Sequence, residues 1–205
     1  MDRVDTIVSR SKKLSWLLRH GAPPVGVAMD PAGWVPIEDV LEYMKITRRA
    51  LDEIVRKNNK RRLQVYGGKI RCSQGHSIEC TAVTREALEA SWREVTSDAS
   101  IWHGTRTEVV EAIAEEGIRP QQRTHVHLAP RTNSVVGKRA EVGVLLEVSP
   151  ARLRDAGFKV YAAPNGVILV RHVPPGCIVG VRAVSRRARS MEPRLRAALG
   201  LTPAA

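Results

Sequence analysis

Arginine and histidine stand together near one end of an apolar run in "LLRHG", where Arg19 and His20 precede Gly21. A guanidinium group binds phosphate oxygens in bidentate fashion, and an imidazole with an ordinary pKa of about 6.5 can transfer a proton near neutral pH. Two cations at a helix C-terminus also interact favourably with the last carbonyls. On spacing alone, stabilisation of the helix end is the favoured interpretation of this pair. A phosphate site requires further groups that converge on the same place.

Two more arginines stand at the ends of β-prone runs. Arg71 precedes "CSQGHS", and Arg139 lies in "VVGKRAEV" before a strongly apolar run. Such an arginine is most often a solvated charge whose alkyl stem packs on the protein. Both are nevertheless candidates to bind a phosphate, because no side chain matches its oxygens better.

Histidine also occurs in two motifs near β-prone runs, "WHGT" and "HVH". In the first, Gly104 allows the backbone to approach a ligand closely between His103 and Thr105, although an ordinary turn has the same composition. In the second, His125 and His127 alternate on a predicted strand and share one face. A metal site needs additional carboxylate or imidazole ligands, but the flanks carry Arg and Lys, so we expect no bound metal.

The composition favours a polyanionic partner. Among 205 residues, 33 Lys and Arg face 21 acidic residues, for a net charge of +12 and a pI of about 10.3. Nucleic acid is the commonest soluble polyanion, although a basic surface can also serve solubility alone. The chain lacks the GxGxxG and GxxxxGK[ST] phosphate loops and the GxSxG nucleophile motif, which argues against Rossmann, P-loop and serine-hydrolase chemistry.

The three cysteines show no CxxC spacing, which favours a reducing cytoplasm over a disulfide framework or a zinc ribbon. No apolar run is long enough to span a bilayer, and the N-terminus lacks an apolar signal core. We therefore expect a cytoplasmic protein without a membrane partner, and nothing in the sequence indicates an obligate oligomer, so we expect a monomer.

The elements that position these residues fall into two groups, which predicts an α+β protein. Helical periodicity covers residues 4–20. Residues 33–44 predict a short extended piece and a second helix with Pro36 in its first turn, a third helix follows an N-cap at Thr47, and a hairpin turns at Gly67 and Gly68. Three helices followed by a hairpin is the order of a winged helix. A further helix is predicted at 82–95 and a boundary at 96–100. Beyond it we expect mainly short strands, a helix at 106–116 and a basic helix at 186–199.

Seven blocks in this order closely resemble the NAD-dependent RNA 2′-phosphotransferase family, whose members remove a 2′-phosphate left at tRNA splice junctions. The blocks are "LSWLLRHGA", "GWVPIEDVL", "IRCSQGHS", "WHGT", "GIRPQQRTHVHLAP", "VGKR" and "YAAPNGVILVRHVPP". The resemblance implies a winged-helix-like lobe at residues 1–95 and an ADP-ribosyltransferase-fold lobe at 96–205, with NAD and RNA meeting between them.

The resemblance also implies a role for individual residues. Its essential catalytic set corresponds to Arg19, His20, Arg71 and Arg139. The NAD contacts correspond to His103, Gly104, Thr105, His125, His127, Asn165 and Gly166. Residues near the RNA phosphate correspond to Ser73, Gln74 and His76. The family's usual "RANQGHS" reads "RCSQGHS" here, so a shorter Ser73 stands where the family has asparagine.

The implied reaction transfers the 2′-phosphate to NAD through a 2′-phospho-ADP-ribosylated RNA, and releases nicotinamide and ADP-ribose 1″,2″-cyclic phosphate. His20 is the candidate for proton transfer in the second step. Protein-modifying transferases of this fold place a glutamate on a late strand, whereas this chain is apolar at Val167 and Ile168. A phosphate nucleophile is already largely dianionic near pH 7, so it needs no general base. With three arginines to hold charge, we expect activity without a metal.

Two alternatives stay open at this point. An NAD-dependent transferase of the same fold could leave ADP-ribose on a terminal phosphate of RNA or DNA and stop after the first step. A winged-helix protein could bind nucleic acid without catalysis, which would explain the charge and the first half of the chain but not "WHGT", "HVH" and "NGVILV".

Overall fold

A computed structural model describes residues 3–137 and 142–202, and over these residues the chain forms seven α-helices and ten short strands in three antiparallel sheets. The expected mixture of helices and strands is therefore confirmed. The chain divides into two compact units. The first contains residues up to Trp92 together with Gln122–Thr124, and the second contains Arg93–Gln121 and the chain from His125 onward.

The first unit begins with three helices, α1 (Arg3–Trp16), α2 (Ile37–Met44) and α3 (Arg48–Arg56). The helix predicted to have Pro36 in its first turn is α2, for which Pro36 is the N-cap. As predicted, α3 has Thr47 as its N-cap, and the hydroxyl of Thr47 accepts a hydrogen bond from the backbone N–H of Ala50 at 3.3 Å. Such a cap stabilises a helix by about 1 kcal/mol.

The predicted hairpin is present as β2 (Leu63–Tyr66) and β3 (Lys69–Cys72), and a two-residue strand, β1 (Val35–Pro36), pairs with the other edge of β3. Gly67 and Gly68 have φ values of 55° and 75°, which a two-residue hairpin turn requires. The apolar faces of these elements form one core. Its fully buried side chains include Leu14, Leu17, Leu18, Val35, Val40, Leu51 and Ile70.

The end of the first helix differs from the prediction. Periodicity predicts a helix through His20, but α1 ends at Trp16 and the chain continues as a π-helical turn over Leu17–Gly21. The N–H of Ala22 donates to the carbonyl of Leu17 at 3.0 Å, which closes the wider turn. Single π-turns are rare and frequently lie at functional sites.

The helix predicted at 82–95 is also shorter than expected. It is α4 (Arg85–Ala90), capped by the hydroxyl of Thr84. The indole N–H of Trp92 then donates to the carbonyl of Ser73 at 2.9 Å, and the next residues form the strand β4 (Arg93–Glu94). Tertiary hydrogen bonds thus overrule the local helix preference of this segment.

The second unit contains two sheets. In one, β7 (Val144–Val148) lies between β5 (Ile101–Thr105) and β10 (Ile178–Ala183). In the other, the order is β4, β8 (Tyr161–Ala162), β9 (Ile168–Val170) and β6 (Val126–Leu128). All pairings are antiparallel, and buried aliphatic residues of both sheets form one core.

The described residues of the second unit form three α-helices. They are α5 (Val110–Glu116), which ends at Gly117 as predicted, α6 (Pro150–Asp155), which the sequence did not indicate, and α7 (Arg186–Ala198), which is the predicted basic helix. No helix within the described part of the chain is both long and apolar enough to cross a membrane.

Candidate functional site

The π-helical turn carries Arg19 and His20, the first pair singled out in the sequence. The Nε–H of Arg19 donates to the backbone carbonyl of Gln74 at 3.0 Å, and the carbonyl of Arg19 accepts from the N–H of Ser77 at 3.3 Å. Both contacts connect the turn to the loop that follows β3. Arg19 therefore lies against the segment "SQGHS", although 55 residues separate it from Gln74 in sequence.

Gly75 makes this close approach possible. Its φ is +89°, a backbone conformation that residues with a side chain rarely adopt. A Cβ at this position would lie 3.1 Å from the Cζ atom of Arg19. The guanidinium group thus packs directly on the backbone of Gly75.

Arg123 completes this arrangement, and it was missed in the sequence. The segment Gln122–Thr124 pairs in antiparallel fashion with residues 76–78: Thr124 N–H donates to the His76 carbonyl and Ile78 N–H donates to the Gln122 carbonyl, each at 3.1 Å. The guanidinium of Arg123 donates through Nη1 to His20 Nε2 at 3.1 Å and to the carbonyl of Gly75. The one local signal was an arginine directly before "THVH", inside a block that carried the family resemblance.

Arg71 is almost completely buried, with 4% of its surface exposed. Its Nε–H donates to Gln64 Oε1 at 2.8 Å, and Nη1 donates to the carbonyl of Ala32 at 3.0 Å and to Ser91 Oγ at 2.8 Å. The guanidinium also lies 4.5 Å from the ring centre of Trp34. Among the described residues these bonds engage Nε and Nη1, which leaves the two Nη2 hydrogens for an anion.

His76 lies among these cationic groups and is fully buried. Neither ring nitrogen has a hydrogen-bond partner among the described residues, and a Cβ on Gly33 would lie 2.6 Å from Nε2. Burial lowers the pKa of His76 to about 3, and the charges of Arg19 and Arg71 add to this effect, followed by those of His20 and Arg123. The imidazole is therefore neutral at physiological pH.

Ser73 and Gln74, the other residues expected near the RNA phosphate, are buried and bonded within the unit. The hydroxyl of Ser73 donates to the carbonyl of Arg62 at 3.1 Å, and the backbone carbonyl of Gln74 accepts from Arg19. In this arrangement both residues help to hold the loop in place. Contact with a substrate is not tested by these bonds and stays a prediction for both.

The charges of this cluster are predominantly positive. We call Arg19, His20, Arg71, His76 and Arg123 the cationic cluster. The pKa of His20 is lowered by burial first and then by the charges of Arg123 and Arg19, while Glu79 acts in the opposite direction. Burial likewise lowers the pKa of Arg123, and the charge of Arg19 adds to it. Like charges held together in this way are stabilised by an anion.

The second unit holds the residues expected to contact NAD. In β5, His103, Gly104 and Thr105 pair with Leu146, Leu145 and Val144 of β7. The backbone bonds between Trp102 and Ala129, at 2.9 and 2.7 Å, place β5 beside the end of β6. This brings His103 Nδ1 within 3.2 Å of the backbone carbonyl of His127. The motifs "WHGT" and "HVH", distant in sequence, therefore meet in the structure.

The other expected NAD contacts lie at different points of this unit. His125 directly precedes β6 and is buried, whereas His127 is half-buried opposite Leu169 of β9. Asn165 and Gly166 form the turn between β8 and β9, where Asn165 Oδ1 accepts from the N–H of Val167 at 3.4 Å. That turn leads into Ile168, which pairs with Leu128, the last residue of β6. Val167 and Ile168 are both buried. They are the apolar residues at the point of the chain where the sequence analysis expects no catalytic glutamate.

Arg139, the fourth residue of the expected catalytic set, lies outside the described residues. Residues 3–137 and 142–202 contain no group of three or more histidine, cysteine or acidic side chains that could hold a metal ion.

The comparisons with known proteins all indicate the same family. Residues 5–172 match the family model described as RNA 2′-phosphotransferase, Tpt1 / KptA family. Proteins named "Probable RNA 2′-phosphotransferase" are similar over most of their length. The one from Streptomyces coelicolor is 38% identical over 174 residues, covering 82% of this chain and 91% of the relative. Those from Pseudomonas aeruginosa and Rhizobium rhizogenes are 35% and 34% identical, covering 85% and 80% of this chain and 96% and 88% of the relatives.

Proposed function

The chain belongs to the RNA 2′-phosphotransferase, Tpt1 / KptA family, and on that premise we propose that it removes an internal 2′-phosphate from RNA by transferring it to NAD. The observation that carries the proposal is the cationic cluster, in which Arg19 and Arg123 both donate hydrogen bonds to the loop after β3 and Arg123 also donates to His20. All of it lies within the segment that matches the family.

We propose that the cationic cluster holds the 2′-phosphate. A guanidinium group presents parallel N–H donors that match phosphate oxygens. The pKa values of His20 and Arg123 are lowered by burial first and by neighbouring positive charge second, and an anion would relieve this second cause. Arg71 contributes its Nη2 hydrogens from a guanidinium fixed by Gln64, Ala32 and Ser91. Such fixed donors stabilise charge without reorganising during the reaction.

NAD is the proposed co-substrate. The anomeric carbon of its nicotinamide ribose would accept the phosphate oxygen, and nicotinamide would be the leaving group. We propose that it is bound by His103, Gly104, Thr105, His125, His127, Asn165 and Gly166. The imidazoles and the hydroxyl near the contact between β5 and β6 are hydrogen-bonding groups of the kind that ribose hydroxyls and an amide require. We also propose that residues 1–95 form a winged-helix-like lobe, which the order α1, α2, α3 and hairpin supports, and that 96–205 form an ADP-ribosyltransferase-like lobe.

The proposed reaction has two steps. In the first, an oxygen of the RNA 2′-phosphate forms a bond to the anomeric carbon, and the electron pair of the breaking carbon–nitrogen bond leaves with neutral nicotinamide. In the second, the adjacent ribose 2″-oxygen bonds to phosphorus and loses its proton, while the RNA 2′-oxygen leaves and gains one. The arginines stabilise the charge on the phosphate oxygens in both steps. The products are ADP-ribose 1″,2″-cyclic phosphate and RNA with a 2′-hydroxyl.

The test follows a short RNA with one labelled internal 2′-phosphate, with and without NAD, in a buffer that contains a metal chelator. Wild type should release the label as a small cyclic phosphate only when NAD is present. Arg19→Ala and Arg71→Ala should slow the release at least about 100-fold, as expected when a preorganised charge donor is removed. Arg48→Ala is the matched control, because Arg48 is an exposed residue of α3 paired with Asp52.

Each other outcome has a defined meaning. A labelled RNA that carries ADP-ribose and persists would indicate a transferase that stops after the first step. The absence of any NAD-dependent change would overturn the proposal. Because Arg71 makes several internal contacts, circular dichroism and thermal melting must show that its variant is folded, and Arg19→Ala tests the same claim independently.

A further inference from the structure

The contact between Arg123 and His20 determines where the imidazole can carry a proton. A guanidinium group is always protonated in proteins and has no acceptor atom. At 3.1 Å, the contact between Arg123 Nη1 and His20 Nε2 is therefore a hydrogen bond that Arg123 donates. Nε2 must accept it with its lone pair, so this nitrogen bears no hydrogen. The ring is then neutral, and its hydrogen is on Nδ1.

Arg123 is held firmly enough to impose this state. Its backbone is bracketed by the two hydrogen bonds that pair Gln122–Thr124 with residues 76–78. The second hydrogen of Nη1 is donated to the carbonyl of Gly75, in the same loop that accepts from Arg19. The guanidinium is therefore bonded on two sides, to His20 and to the loop after β3.

The groups around His20 reinforce this state. Arg123 and Arg19 both place positive charge near the ring, and the buried His76 lies within the same cluster. Glu79 is the acidic group that acts on His20, and it is exposed and outweighed by these cations and by burial. The pKa of His20 is accordingly lowered. A neutral ring is the stable form at physiological pH.

We propose that Arg123 is a positioning residue that locks His20 in its neutral Nδ1–H form, so that His20 acts as a fixed hydrogen-bond donor to a phosphate oxygen and not as a proton shuttle. The role of His20 as a donor to phosphate rests on the proposed function, whereas the protonation state of its ring does not. This donor role differs from the proton transfer that the sequence indicated for His20, because the nitrogen that would accept a proton is already engaged by Arg123.

Nuclear magnetic resonance of ring-labelled histidines tests the state of the ring directly. In wild type between pH 6 and pH 8, His20 Nε2 should have the shift of an unprotonated nitrogen and Nδ1 that of a protonated one. Arg123→Met removes the donor and the charge but keeps an unbranched stem. In this variant the pKa should rise toward the ordinary value of about 6.5 and both tautomers should be present. Arg123→Lys keeps a cationic donor and should restore part of the wild-type pattern.

Activity supplies a second readout. The inflection in kcat that reports ionisation of His20 should lie at higher pH in Arg123→Met than in wild type, because the charge of Arg123 is one of the causes that lower the pKa of His20. The kcat of this variant at pH 7.5 should fall by about 10-fold to 100-fold, as expected when a reacting group loses its orientation, with little change in KM for NAD. Arg123→Lys should recover part of this activity. The exposed Arg48→Met is the control for removal of an arginine from the same unit.

A proton on Nε2 in wild type, or a ring state unchanged in Arg123→Met, would overturn the inference. Wild type that shows the expected ring state but no NAD-dependent phosphate release would overturn the proposed function, and with it the donor role, while the locking by Arg123 would stand. The two failures are therefore distinguishable in one set of samples.

Discussion

The buried imidazole of His76 couples the stability of the protein to pH. Its pKa is about 3 in the folded protein and about 6.5 in the unfolded chain, so the unfolded chain binds more protons between these values. Stability should therefore fall as the pH drops from about 6.5 toward 3, with a contribution of up to about 1.4 kcal/mol per pH unit from this residue. His76→Asn, which does not titrate, should lack that contribution.

Urea unfolding of wild type and His76→Asn from pH 7.5 to pH 4.5 measures the effect. The difference in free energy of unfolding should be constant above pH 6.5 and should shift in favour of the variant below it. A difference that stays constant down to pH 4.5 would contradict the assignment. If the variant does not fold, the His76 resonances of wild type provide the check, because they should not titrate above pH 4.5.

The residues of the candidate site were partly accessible from the sequence. Arg19, His20, Arg71 and His76 stand in short motifs, and in the structure they share one cluster because the π-turn and the loop after β3 are in contact. Arg123 was not found, because its partner His20 is 103 positions away and no local pattern encodes such a pairing. The depth at which Arg71 and His76 are buried was equally inaccessible, since burial is a property of the assembled unit.

At the scale of elements, signals with a local physical cause were reliable. Thr47 caps α3, Gly67 and Gly68 form the hairpin turn, and Gly117 ends α5. Each of these depends on bonds within a few residues. The helix predicted at 82–95 was wrong at its C-terminal end, because Arg93 and Glu94 pair with Ala162 and Tyr161 of β8. The π-turn was missed because apolar spacing does not distinguish a five-residue hydrogen-bond step from a four-residue one.

The π-turn depends on the size of the residue at its end. A Cβ on Gly21 would lie 2.3 Å from the indole ring of Trp16, which is 44% exposed. Gly21→Ala should therefore displace the ring and destabilise the protein by about 1–2 kcal/mol, as small-to-large substitutions do in packed sites. In a Trp16→Ala background the space is open, and alanine should instead stabilise the helix by about 0.5–1 kcal/mol relative to glycine.

The four proteins of this double-mutant cycle are compared by urea unfolding at one pH. A change of sign between the two backgrounds is the expected result. Equal destabilisation in both backgrounds would mean that the backbone of the turn, and not the indole ring, excludes a side chain at Gly21.

At the scale of the whole molecule, the net charge of +12 is unevenly compensated. Many exposed arginines have acidic partners: Arg48 pairs with Asp52, Arg119 with Glu116, Arg187 with Glu108 and Arg194 with Glu111. In the cationic cluster, by contrast, Arg19, Arg123 and His20 are near one another, and Glu79 is the acidic residue that acts on His20. The cationic cluster, where we propose that the phosphate binds, thus has less acidic compensation than these four exposed arginines.

This distribution predicts how the affinity for RNA depends on salt. Each phosphate neutralised on single-stranded RNA contributes about −0.7 to the slope of log K against log salt concentration. Arg19→Ala should therefore make the slope shallower by about 0.7 for each phosphate that the variant no longer neutralises, whereas Arg48→Ala should leave it unchanged, because Asp52 already neutralises Arg48. Fluorescence anisotropy of a labelled 2′-phosphorylated RNA between about 50 and 200 mM salt measures both slopes. Equal slopes for wild type and Arg19→Ala would show that diffuse surface charge, and not the cationic cluster, attracts the RNA.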